Sequence, residues 1–314
     1  MTYASTGLIQ ATDYNNLAWG GTQGTYTAVT KNIAYVMGVG TGATGYGQDV
    51  TAINTVAAAG TVTAVQWSGL LTTLNKALGH QSGAGAQLSV PTITAGGTIT
   101  YAAAVATAVT TINTNAALVA AQGATTTGTN FTTALSGTTG VNSYTDRIVQ
   151  FSSAQAARYF FNAGGQLNFV VSATGSNGTG SSNSIVRLMT GIGGFNIKNT
   201  TNSGRTGSGI TLNTNNTAVG YRSGVFNSGT TVVAVTDTTA AYTVDTASTA
   251  YFYGGTNDTT NGALGSTLVF RTSYYVADHT WDDTLGVTIN TRVDIVYPES
   301  TYLTTNAWGT PTIT

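Results

Sequence analysis

The chain has 314 residues and no cysteine, and only 7% of it is Asp, Glu, Lys or Arg, with a formal net charge of −1; roughly 25% is usual for a soluble domain. So little charge excludes electrostatic steering toward nucleic acid or an anionic membrane surface, and the absence of thiols excludes thiolate chemistry and cysteine metal centres. A hydrophobic fraction of 41% still suffices for a packed core, and 40 Gly stand beside only 3 Pro.

Solubility therefore rests on Thr, Asn and Ser. Thr is β-branched and favours pleated strands, while Gly and Asn supply the positive-φ positions of tight turns. Such a chain makes many short strands, and its surface carries few charges to repel copies of itself. Adhesins, surface-layer proteins and viral fibres share this composition. Met1 to Gly7 lacks the positive region and apolar core of a signal peptide. The apolar stretches Ala102 to Val109 and Ala116 to Ala121 are cut by Thr and Asn, so no membrane insertion is expected.

In chain order, Ile9 to Leu17 and Val62 to Leu70 form a quasi-repeat, matching Ile9/Val62, Ala11/Ala64, Tyr14/Trp67 and Leu17/Leu70. Val29, Ile33, Val36 and Met37 make a short helical stripe that stops at Gly38. After the second repeat, Trp67, Leu70, Leu71, Leu74, Ala77 and Leu78 recur at helical spacing. Gly79 is expected to end that helix, with His80 just beyond it. A longer stripe, Tyr101, Val105, Val109, Ile112, Ala116 and Val119, has the alternating steps of a seam that faces another helix. It fits either an amphipathic helix packed on its own domain or a helix at a symmetry axis between subunits.

Charge divides the chain. Before Asp146 the charged side chains are Asp13, Lys31, Asp49 and Lys76, with none from Ala77 to Thr145. This predicts a helix-containing docking or oligomerisation region over 1–122, a Thr/Gly-rich connector over 123–145, and a β-sandwich-like domain over 146–314. Beyond residue 150 the period becomes strand-like. Candidates are Gln166 to Val171, Ile185 to Met189, Gly209 to Leu212, Val219 to Phe226, Thr231 to Val235, Tyr242 to Val244, Ala250 to Tyr253, Thr267 to Val276 and Val287 to Tyr297. The expected fold is mainly β, an antiparallel sandwich or jelly roll with a smaller helical N-terminal part.

Reactive groups are scarce. His80 and His279 stand apart, nothing has HExxH spacing, and Gly191-Ile192-Gly193-Gly194 lacks the Lys-Ser/Thr pair of a phosphate loop. Asp278, His279, Asp282 and Asp283, around Trp281, form the best cluster for a cation or for acid–base work. The same residues suit a polar turn between two long strands, because Asp bonds nearby backbone amides. Glu299, the one glutamate, follows Pro298 in an apparent turn. Tyr251 with Tyr253, and Tyr274 with Tyr275, place rings on alternate faces of strands. One ring of each group can fill the core while the other meets a subunit or a sugar. No cofactor and no metal is expected.

Arg158-Tyr159-Phe160-Phe161-Asn162-Ala163-Gly164-Gly165-Gln166-Leu167-Asn168-Phe169 resembles the RYFFNAGGQ-type segment of a family of tailed-phage virion proteins frequent in cyanophages and other marine phages. Ile9 to Leu17, Gly45-Tyr46-Gly47-Gln48, Val62 to Leu70 and His80-Gln81 are similar to that family's opening region. Tyr297-Pro298-Glu299 and Asn306-Ala307-Trp308-Gly309 are compatible with its end. The resemblance implies a virion structural subunit, tail or fibre associated or set at the baseplate or neck, that assembles with itself and other virion proteins in the host cytoplasm. It brings no catalytic residues. Two other readings are a receptor-binding adhesin that recognises host surface glycan and a glycan depolymerase. From the residues alone, Ser153 caps a short helix through Phe161, and Asn162, Gly164 and Gly165 turn the chain into the next strand, a structural corner built on Arg158, Phe160 and Phe161.

Overall fold

The computed structural model describes residues 9–24, 32–90, 102–138, 141–176, 178–222, 230–239, 245–254, 261–277 and 284–314, without the side chains at 102, 138 and 250–254. Helices dominate its first part. Helices α1 (Ala11–Trp19) and α3 (Ala64–Ser82) flank the short α2 (Ile33–Met37), and α4 (Ala102–Thr114) follows. The quasi-repeat is a repeated helix start: Ala11 and Ala64 are the first helical residues, and Tyr14, Leu17, Trp67 and Leu70 are all buried. In α3 the start is reinforced by a reciprocal cap between Thr63 and Gln66.

Gly79 does not end α3. The helix runs three residues further, to Ser82, and Gly83 follows at φ 85°. His80 is thus a buried helical residue. Gly79 is glycine for another reason: a Cβ there would lie 2.5 Å from the Tyr302 ring, so the residue makes room for an aromatic side chain. The stripe on α4 ends at Thr114, with Ala116 in the turn beyond it. Val105, Val109 and Ile112, considered for a subunit axis, are buried inside the chain's own core, where α4 packs on α3. Tyr101 lies outside the described residues.

The stretch read as a connector contains strands. β1 (Gln122–Thr126) and β2 (Phe131–Thr138) both pair with the long strand β10 (Thr284–Pro298), and β3 (Val141–Gln150) begins within the same run. Abundant Thr without Pro gives this uncharged segment a strand preference that its low hydrophobicity conceals. Next come α5 (Ala154–Asn162), β4 (Gln166–Thr174) and α6 (Gly180–Ile192). The expected strand Ile185 to Met189 is part of α6. Ile185, Leu188, Met189 and Ile192 are spaced as one buried helical face, and the Thr179 hydroxyl accepts from the Ser182 amide to cap it.

The remaining strands are β5 (Gly194–Ile197), β6 (Thr211–Asn215), β7 (Thr230–Asp237), β8 (Asp245–Gly254), β9 (Thr267–Val276), β10 (Thr284–Pro298) and β11 (Thr312–Ile313). Val219 to Arg222 is not a strand; the rest of that candidate, and Tyr242 to Val244, lie outside the described residues. The expected mainly-β architecture is present as two antiparallel sheets. One runs β1-β10-β4-β5, with β2 also on β10; the other runs β11-β3-β9-β8-β7-β6. They meet face to face where Phe169 of β4 stacks on Phe270 of β9, ring centroids 5.5 Å apart. One hydrophobic core extends from Ala11 to Trp308 and joins helices and sheets.

Candidate functional site

The loop after α2, His80, the run Arg158 to Gly165 and the segment after β10 are far apart in sequence and are joined in space by hydrogen bonds. The Ser153 hydroxyl accepts from the Ala156 amide, 3.0 Å away, and starts α5. Helical spacing then sends Phe160 and Phe161 into the core. Phe161 stacks on Tyr221 at 4.5 Å, and Phe160 meets Phe151 at 5.2 Å. Arg158 and Asn162, one turn apart, face the loop that follows α2. The Arg158 guanidinium donates to the carbonyls of Val39 and Thr44. The Asn162 amide donates to the carbonyls of Thr44 at 2.7 Å and Gly45 at 3.2 Å, and its oxygen accepts from Asn199 at 3.0 Å.

Arg158 is fully buried. Burial lowers its pKa from the ordinary value, as does the nearby Arg222 charge, while Tyr159 and Tyr221 oppose the shift. Its planar fork suits two carbonyl oxygens better than a lysine's point charge would. Gly164, at φ 85°, and Gly165 complete the corner: side chains there would run into Val119 and the Phe160 ring.

The loop after α2 leads into a second set of contacts. Gly47 sits where a Cβ would lie 2.6 Å from both the Tyr159 ring and Ala307. Gln48 donates to the Thr305 carbonyl and accepts from the Thr305 amide, each at 2.9 Å. The buried Tyr46 hydroxyl donates to the Ala116 carbonyl and accepts from Gln81, both at 2.9 Å; burial pushes its pKa well up. His80 Nδ1 lies 2.9 Å from Glu299 Oε1. Glu299 Oε2 accepts from the amides of Thr301 at 2.7 Å and Tyr302 at 3.1 Å. Burial alone would raise the Glu299 pKa, but the hydrogen bonds from His80, Tyr302 and Thr301, with the His80 charge, hold it below the usual range.

These groups are directed at backbone or at one another inside the protein, and they hold the N-terminal helices against the segment after β10. The arrangement is suited to positioning chain segments. Sequence reasoning placed the Arg158 to Gly165 corner but not its partner loop, because a contact across 118 residues leaves no local pattern. It also missed a pair of buried carboxylates, Asp237 and Asp245, directly opposite each other on β7 and β8. Asp237 is bonded by Ser184 at 3.0 Å, Arg187 at 2.6 Å and the Thr239 amide at 2.9 Å. Burial pushes its pKa up, and these bonds more than offset that to lower it. Asp245 accepts from the Ala277 amide at 2.9 Å.

Asp278, His279, Asp282 and Asp283 lie outside the described residues. Among the described residues no group of three or more His, Asp or Glu could hold a metal ion, and no helix is long and apolar enough to cross a membrane. Tyr274 is buried and Tyr275 is 45% exposed, the alternation expected of neighbours on a strand. Tyr251 and Tyr253 lie on β8, with side chains outside the description. A cleft of about 330 Å³ opens between α2, α3 and the segment after β10, with Asp49 and Lys76 on its walls. No family model, curated protein or solved structure matches the chain.

Proposed function

We propose that this chain is a non-enzymatic structural subunit of a phage virion, tail or fibre associated or at the baseplate or neck, and that it works by homo-oligomeric assembly. The phage setting rests on the resemblance at Arg158 to Phe169 and the segments that join it. The observation that carries assembly is the edge of the first sheet. β2 pairs with β10 along its whole length, Phe131 against Thr291 through Thr138 against Thr284, and pairs with no other strand among the described residues. It carries no charge and no Pro, and Thr132, Ala134 and Ser136 are exposed. Proteins that stay apart guard such edges with Lys, Pro or bulges; β2 has neither Lys nor Pro, and its pairing with β10 has no bulge.

Electron cryomicroscopy of the intact particle tests the reading together with light scattering of the purified chain. A defined oligomer in solution and repeated density in the particle are expected. A stable monomer that never enters particles overturns it. Ala134→Lys, exposed on the edge, is expected to lower the oligomer mass while leaving the unfolding midpoint in place.

A further inference from the structure

The outer face of the six-stranded sheet has an order that assembly does not require. Register places Asn142, Tyr275, Thr246 and Thr236 in one row across β3, β9, β8 and β7. The next row is Tyr144, Ser273, Ser248 and Ala234, and beyond it Asp146 stands opposite Arg271. Paired residues of an antiparallel sheet share a face, so two tyrosines point outward together: Tyr144 is 56% exposed and Tyr275 45%. A groove of about 350 Å³ runs beside Tyr275, where Asn142, Asn213, Thr246, Ser248 and Ser273 join small apolar residues such as Ala234 and Ala247 in its lining. Its size lies at the small end of ligand-binding sites.

We infer that this groove binds an uncharged oligosaccharide. Three features select that class. First, an exposed ring with an apolar body and a polar tip can stack on the C–H face of a sugar; Tyr275 supplies that ring on the groove wall, and Tyr144, one row away on the same face, is held by Arg271. The Arg271 guanidinium lies 3.9 Å from the Tyr144 ring centroid, and two hydrogen bonds to Asp146, at 2.8 and 2.6 Å, fix Arg271 in turn. Second, the groove offers amides and hydroxyls, which both donate and accept as sugar hydroxyls require. Third, none of the described residues that line it carries a charge, and Asp146 and Arg271, two rows from Tyr275 on the same face, pair with each other. A phosphate, a uronate or a nucleic-acid backbone would call for cations there. The inference stands apart from the virion reading: the face can bind sugar whether or not the chain enters a particle.

The test uses the full chain and a panel of neutral hexasaccharides, namely cello-, xylo-, malto-, manno- and N-acetylchitohexaose, with oligogalacturonate and heparin hexasaccharide as charged controls. Saturation-transfer NMR and titration of tyrosine fluorescence read binding. At least one neutral sugar is expected to bind at up to millimolar concentration, and the charged controls are not. Tyr275→Ala is expected to weaken binding roughly tenfold, and Asn142→Ala about fivefold. Tyr275→Phe, which keeps the ring, is expected to stay close to the parent. Should Tyr275→Ala lose its fold by circular dichroism, Asn142→Ala and Asn213→Ala carry the same test. No binding by any neutral sugar, equal binding by the charged ones, or folded variants with parental affinity would each overturn the inference. So would a fall in oligomer mass on Tyr275→Ala, which would make this face a subunit contact and leave the assembly reading intact.

Discussion

Gly79 makes a small side chain decisive inside a helix. Replacing Gly by Ala in a helix interior ordinarily gains about 1 kcal/mol. Here the new methyl would lie 2.5 Å from the Tyr302 ring, and overpacking of that kind costs about 1–3 kcal/mol. Gly79→Ala is therefore expected to lower the urea midpoint, and Tyr302→Ala to reverse the sign of the alanine effect when the two are combined. A second outcome at this scale follows from Glu299, whose folded pKa is depressed below its ordinary 4.5. Below that value the unfolded chain binds the proton more readily than the folded one. The carboxylate's contribution is thus fully present above the ordinary pKa and is lost as pH falls through the depressed value. Glu299→Gln is expected to be less stable than the parent at neutral pH, with the gap closing in acid. Denaturation midpoints across the acid range check it. Asp237 shifts in the same direction, so a residual slope is expected to persist in the variant.

At the scale of elements, α5 is where local sequence and distant contacts agree. Its Ser153 cap, its buried Phe160 and Phe161 and the glycines after it are all readable within a dozen residues. Ser153→Ala is expected to cost about 1 kcal/mol, measured as a shift in the unfolding midpoint at unchanged denaturant dependence. β4 and β9 were equally legible, because Leu167, Phe169 and Val171, and then Leu268, Phe270 and Tyr274, alternate inward with little interruption. α6 was not. Its first turn, Gly180 to Ser184, reads as a loop, since serine and asparagine compete for backbone hydrogen bonds. Beyond the local Thr179 cap, tertiary partners hold that turn: Ser184 bonds Asp237, and the Ser182 hydroxyl accepts from the Gly286 amide at 3.2 Å. β1 and β2 were hidden for a related reason, being almost entirely Thr, Gly, Ala and Ser on an open edge. The partner loop of Arg158 was invisible because it pairs through carbonyls, which every residue has.

For the whole molecule, the scarcity of charge acquires a location. Asp146 pairs with Arg271, Asp237 with Arg187, Asp294 with Arg292 and Glu299 with His80. Much of a small supply of ionisable groups thus serves internal contacts, and the outward surface is governed by hydroxyls and amides. Association between copies is then expected to change little with ionic strength, since screening acts on exposed charges. Sedimentation velocity in low and high sodium chloride checks it; dissociation at high salt would point to ion pairs between subunits.

The contact between Gln48 and Thr305 also sets a schedule for synthesis. Its two ends are 257 residues apart, and His80 waits almost as long for Glu299. At ordinary rates of translation, about 13–50 s pass between the emergence of one end and the other. Through that interval the N-terminal helices lack the segment that partners their polar groups. A nascent chain of this design matures last where it was made first, so the emergence of the segment after β10, rather than of the helices themselves, is the event that closes its N-terminal part.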